Sequence, residues 1–171
     1  MEKEDVCSIL AAKLSEMQAS RKLDLSSLDL MKTAITGSAK RERYWLSNRE
    51  VEPQTAFVLY HAARNTRIVL EKMHERFVHA SAIHENPKVV DDAMAVFPEL
   101  AEMCGFVDSL QNIKVTADVL EFVRRRTRNL RSTAQRVNMM PTIEEELKDI
   151  NRKDLAKQLN SVAEDLRLNL V

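Results

Sequence analysis

Apolar residues recur along this chain at intervals of three and four positions, the spacing that lines one face of an α-helix. Six helical segments follow from that spacing and from the residues that interrupt it. The first covers about residues 2–20, with Val6, Leu10, Leu14 and Met17 in line and Ile9 widening the stripe. In the second, Ser26 followed by Asp29 resembles a capping box that opens a helix to about Leu46. Gly37 weakens the middle of that helix, by about 1 kcal/mol relative to alanine. Pro53 sits where a missing N–H costs little and starts a third helix over 53–82, whose seam is Leu59, Ala62, Thr66, Val69, Met73, Phe77 and Ala80.

The fourth segment opens at Asn86-Pro87, meets Pro98, which is expected to kink or restart it, and stops at Gly105. The fifth opens near Thr116 and carries Leu120, Val123, Thr127, Leu130, Ala134 and Val137. Pro141-Thr142 with Glu145 is the strongest start signal in the chain. The sixth helix runs from it almost to Val171, with Ile143, Leu147, Ile150, Leu155, Leu159, Val162 and Leu166 on one side. The pattern therefore predicts an all-α fold, a helical bundle of about six helices in one domain over 1–171, with the helix at 2–20 as the most peripheral element.

Composition narrows the function more than the fold. Two glycines and four prolines are too few for the turns of a β-sandwich or a doubly wound α/β fold, and two glycines cannot build a phosphate loop or a dinucleotide fingerprint. The 26 basic and 26 acidic residues cancel, which argues against a general nucleic-acid binder. Cys7 and Cys104 have no metal-type spacing and read as reduced, half-buried hydrophobes. The first twenty residues carry acidic side chains in a broken apolar pattern, unlike a secretory signal. No apolar run approaches the roughly 18 residues of a membrane span. An intracellular location with no membrane partner is expected.

Candidate chemistry is sparse. His61, His74, His79 and His84 lie close in sequence, but His74 and His79 are five apart and turn away from a common face, so they read as surface or half-buried residues rather than zinc ligands. Glu71 and His74 have the Glu-x-x-His spacing of di-iron bundles, yet the second such motif is missing. No nucleophile elbow is present. The expectation is a chain with no catalytic residue, no metal and no cofactor, and thus not an enzyme.

Two basic features remain. Arg124, Arg125, Arg126, Arg128, Arg131 and Arg136 fall on the fifth segment, with no acidic residue from 122 to 140. Arg124, Arg128 and Arg131 make a stripe beside the apolar seam, and Arg125 and Arg136 share another face. The planar guanidinium makes paired hydrogen bonds to carboxylate or phosphate, so the stripe suits an acidic partner. The competing reading pairs these arginines with the acidic run at 144–146. The second feature is Lys40, Arg41, Arg43, Tyr44 and Trp45, where basic and aromatic residues together suit a single nucleic-acid strand. A lone tryptophan serves equally as a core anchor.

Three pieces, LEKMH at 70–74, VFPELAEM at 96–103 and LEFVRR at 120–125, resemble the integrase-binding domain of lens-epithelium-derived growth factor, one of the helical bundles related to the N-terminal domain of elongation factor TFIIS. The resemblance covers about a third of the chain, residues 70–128. It departs at Pro98, at His84 where the family presents an aspartate after an apolar residue, and at Arg126 and Arg128 where the family is apolar. It implies a nuclear adaptor in transcription or chromatin that grips short peptides between interhelical loops, with Ile83 as the loop residue carried over. The arginines then point to acidic peptide segments, bound at Arg124, Arg125, Arg128 and Arg131. The alternatives are an RNA- or DNA-binding helical protein using the 124–136 arginine cluster, Arg136 included, together with Lys40, Arg41, Arg43 and Trp45, and a self-associating subunit, a homo-oligomer built on the long apolar seams.

Overall fold

The computed structural model describes residues 6–82, 88–109 and 115–140, and the single positions Lys148 and Lys157. The chain divides into two compact units, Met1–Met140 and Pro141–Val171. The sixth expected helix falls in the second unit, outside the described residues apart from Lys148 and Lys157, which are helical and exposed.

The described residues of the first unit hold five helices and no strand: α1 (Val6–Ser20), α2 (Ser26–Ser47), α3 (Pro53–Ala82), α4 (Lys88–Ser109) and α5 (Ala117–Arg136). The long α3 is the spine. All seven residues of its expected seam are buried, from Leu59 to Ala80, because alternating steps of three and four keep the row within one broad face of the helix. α2, α4 and α5 pack against it, and α1 packs against α2 and α4.

Burial falls into two clusters along the spine. The larger one gathers Leu10, Leu14 and Met17 of α1, Met31 of α2, Val69, Leu70, Met73 and Phe77 of α3, Val90, Val96 and Leu100 of α4, and Leu130 of α5. The smaller one surrounds the start of α3 and consists of Trp45, Val58, Leu59, Ala62, Met103 and Val123. The first helix, expected to be the most peripheral, contributes to the larger cluster. Leu10 and Leu14 are fully buried and Met17 is 1% exposed, so α1 supplies part of the main core. Its short length and lone stripe hide this, since an amphipathic helix reads the same whether it lies over a core or within one.

The expected signals at helix ends hold only in part. The capping box at Ser26 and Asp29 does not form, and Leu25 occupies the N-cap with no side-chain bond. Asp24 takes its place: its carboxylate accepts from the Ser26 N–H at 2.9 Å and the Ser26 hydroxyl at 2.7 Å. Those bonds, then the Lys13 ammonium at 3.1 Å, hold the Asp24 carboxyl below the usual carboxylate range. α4 runs through Pro98 and past Gly105 to Ser109, so neither residue ends it. Pro98 is exposed while Phe97 and Leu100 are buried, so the ring lies on the solvent side of the helix.

Two residues close helices in the left-handed region without glycine. Arg21, at φ 58°, follows α1, and its guanidinium reaches the Asp91 carboxylate at 3.2 Å and 3.3 Å. Asn138, at φ 59°, follows α5, where the Met139 N–H bonds back to Ala134 O at 2.7 Å and the Asn138 N–H to Gln135 O at 3.3 Å. That pair of bonds is a Schellman closure, with asparagine tolerating the φ that glycine usually supplies.

Gly37 does not interrupt α2. A Cβ built there would meet only the Arg41 guanidinium, at 3.5 Å or more, which is ordinary contact. Since the backbone is not in the left-handed region, Gly37→Ala is expected to stabilise the chain by about 0.5–1 kcal/mol and raise Tm by about 1–4 °C. Thermal unfolding followed by circular dichroism measures this, and a fall in Tm would show that α2 needs the glycine for another reason.

Candidate functional site

The arginines of α5 divide by helix geometry. Val123, Leu130 and Ala134 face inward, and at 3.6 residues per turn the six arginines fall on three sides of that row. Arg124 and Arg131 flank it toward α3, where Arg131 Nη1 donates to Asn65 Oδ1 at 3.1 Å. Arg126 flanks it toward α4, pairing with Glu102 at 2.8 Å with its guanidinium 5.1 Å from the centre of the Phe122 ring. Arg125 and Arg136 are exposed on the outer face, Arg136 donating to Thr133 Oγ1 at 3.4 Å.

Arg124 and Arg128 share one carboxylate. Glu121 lies 3.8 Å from Arg124 and 3.5 Å from Arg128, all three side chains at least 41% exposed, so both pairs are loose and solvated. The stripe is thus partly neutralised from its own helix. The expected pairing with the acidic run at 144–146 lies outside the described residues, as does Ile83.

Between α3 and α5 a groove of about 370 Å³ is lined by Phe57, Val58, His61, Glu121, Arg124, Thr127 and Arg128. Phe57 stands on its rim, 63% exposed, off the buried seam that begins two residues later at Leu59. The His61 ring meets Phe57 edge-on at 4.3 Å and Tyr60 at 5.4 Å between centroids. Partial burial lowers the His61 pKa below the usual imidazole value, and the nearby Arg64 and Arg131 push it the same way. Thr127 keeps its hydroxyl on Val123 O at 2.8 Å, so it offers the groove mainly its methyl group. On the other side of Phe57, a second hollow of about 550 Å³ is lined by residues of the α2–α3 corner, among them Leu46, Arg49, Val51 and Tyr60.

Arg124 and Arg128 are therefore brought together in one concave place, whereas Arg125, Arg131 and Arg136 line neither hollow. The basic-aromatic stretch needs a correction. Trp45 is 1% exposed and anchors the smaller core cluster, so its ring cannot stack on a base. Lys40 and Arg43 are exposed, Arg41 is half-buried with Nη2 on Ser38 Oγ at 3.1 Å, and none of these three lines either hollow.

Phe57 and Glu121 carry no mark in the sequence reading, and His61 figures there only as a metal-ligand candidate. A signal for Phe57 exists, an aromatic residue on the polar side of an amphipathic helix. For His61 there is none, because its neighbours on α5 are some sixty residues away.

Among the described residues no three potential metal-ligating side chains gather. Glu71 pairs with Arg67 at 3.0 Å, and the buried His74 Nε2 has no hydrogen-bond partner among the described residues. No described helix is long and apolar enough to cross a membrane. Compared with known proteins, the chain matches no family model, no curated protein and no solved structure.

Proposed function

We propose that the chain is a non-catalytic helical interaction module that binds acidic peptide segments in the groove between α3 and α5. One observation carries this reading: an exposed aromatic ring, Phe57, and two solvated guanidinium groups, Arg124 and Arg128, line the same concavity. An acidic segment with an apolar side chain matches both, the carboxylates replacing Glu121 on the arginines and the apolar group covering Phe57. The resemblance over residues 70–128 favours an adaptor of transcription or chromatin, and through it a nuclear location. Ile83, the loop residue carried over from that family, lies outside the described residues, and the groove reading does not rest on it.

The test is a calorimetric titration of the full chain with a synthetic acidic peptide, repeated on Arg124→Glu/Arg128→Glu and on Phe57→Ala. Charge reversal is expected to weaken binding at least roughly tenfold, since like charges then meet in the groove. The nucleic-acid alternative predicts a single strand bound with steep salt dependence and spared by Phe57→Ala. Light scattering decides the self-association alternative. A peptide affinity unmoved by the charge reversal would sink the groove.

A further inference from the structure

We propose, resting on the groove reading above, that His61 couples occupancy of the α3–α5 groove to uptake of a proton, so acidic segments are held more tightly as the solution becomes more acidic. His61 lines the same concavity as Arg124 and Arg128, and it sits against the Phe57 ring on which the ligand's apolar group is placed. Two cations act on the imidazole, Arg64 from its own helix and Arg131 from α5, while Arg124 and Arg128 line the same groove. Glu121 is the one carboxylate among the groove-lining residues, and Tyr60 adds only a ring edge. In the empty groove a proton on His61 thus meets cations on two helices and partial desolvation, and the imidazole stays neutral to a lower pH than usual.

A bound carboxylate reverses that balance. It brings a negative charge next to the ring, opposing the repulsion from Arg64 and Arg131, so the imidazolium gains ground. The sign comes from linkage: the bound state holds more protons than the free state between the two midpoints, so affinity rises as pH falls through that window. In the free chain the same lowered pKa works against folding on the acid side. The unfolded state takes the proton first, near pH 6.5, and stability falls as pH drops toward the folded midpoint. A ligand that restores the proton offsets this loss.

The probe is a synthetic aspartate-rich peptide, whose own carboxyls stay ionised above about pH 5.5. Two measurements on the full chain are made with it. NMR follows the His61 imidazole midpoint with and without peptide, and calorimetry follows affinity from about pH 7.5 to about pH 5.5 in buffers of different ionisation enthalpy. The expected result is an upward move of the His61 midpoint on binding, proton uptake from the buffer, and an affinity gain of about threefold to tenfold across the range. His61→Gln removes the slope, whatever the strength at which it binds. An unmoved His61 midpoint, or a slope that persists in His61→Gln and so belongs to another group, overturns the coupling while the groove stands. Absence of peptide binding at both ends of the range overturns the groove and the coupling together.

Discussion

Trp45→Ala is expected to lower stability by about 3–5 kcal/mol, enough to leave much of a marginal domain unfolded at physiological temperature. The indole fills the smaller core cluster with Val58, Leu59, Ala62, Met103 and Val123, and no smaller side chain can collapse onto that space without moving α2 against α3. Urea unfolding followed by circular dichroism is the measurement, because the chain's single tryptophan is lost with the substitution. Trp45→Phe is expected to be much milder, about 1 kcal/mol. The indole N–H is buried without a hydrogen-bond partner among the described residues, and phenylalanine removes that orphaned donor while keeping most of the volume. If Trp45→Ala left stability within about 1 kcal/mol of wild type, the tryptophan would be no anchor, and a surface role for it would reopen.

The second large effect is expected at Arg76, which ties three helices together. From α3 its Nη1 donates to Val137 O, the C-cap of α5, at 2.6 Å, and its Nη2 to Asp92 of α4 at 2.8 Å. The side chains of Arg76 and Asp92 are 24% and 17% exposed, so the pair is mostly shielded from solvent. Arg76→Ala leaves a largely buried carboxylate and a carbonyl without their donor. The expected loss is about 2–3 kcal/mol, less than for a fully buried pair because water retains some access. Arg76→Met combined with Asp92→Leu is expected to lose less than the two single changes added together, since neither charge is then stranded. Strict additivity in that cycle would show that the pair is not coupled.

These two sites mark where sequence reading succeeds and where it stops. The helices and their inward rows are legible because periodicity is a local property: every seam residue of α3 named from spacing is buried. Trp45 is readable as an anchor for the same reason but not decidable, since the segment around it is as basic as it is aromatic. Arg76 is invisible. Its partners are sixteen and sixty-one residues away, and nothing in local sequence separates a tie between helices from a solvated face. The groove is hidden in the same way. Arg124 and Arg128 stand out by their density on α5, but Phe57 and His61 join them only through the packing of α3 against α5. At helix ends, general capping rules mislead where a nearer carboxylate intervenes, as at Asp24, or where asparagine takes the place of glycine, as at Asn138.

The position of Glu121 bears on the kinetics of whatever enters the groove. An arriving acidic segment meets arginines that already have a carboxylate beside them, on a chain whose 26 positive and 26 negative side chains cancel. Under the proposed reading, only the local field of the α5 arginines steers it, so encounter is expected at about 10⁵–10⁷ M⁻¹s⁻¹ and slows as ionic strength rises. Discrimination between segments then rests on how slowly each one leaves, which depends on how well it takes over the contacts that Glu121 gives up.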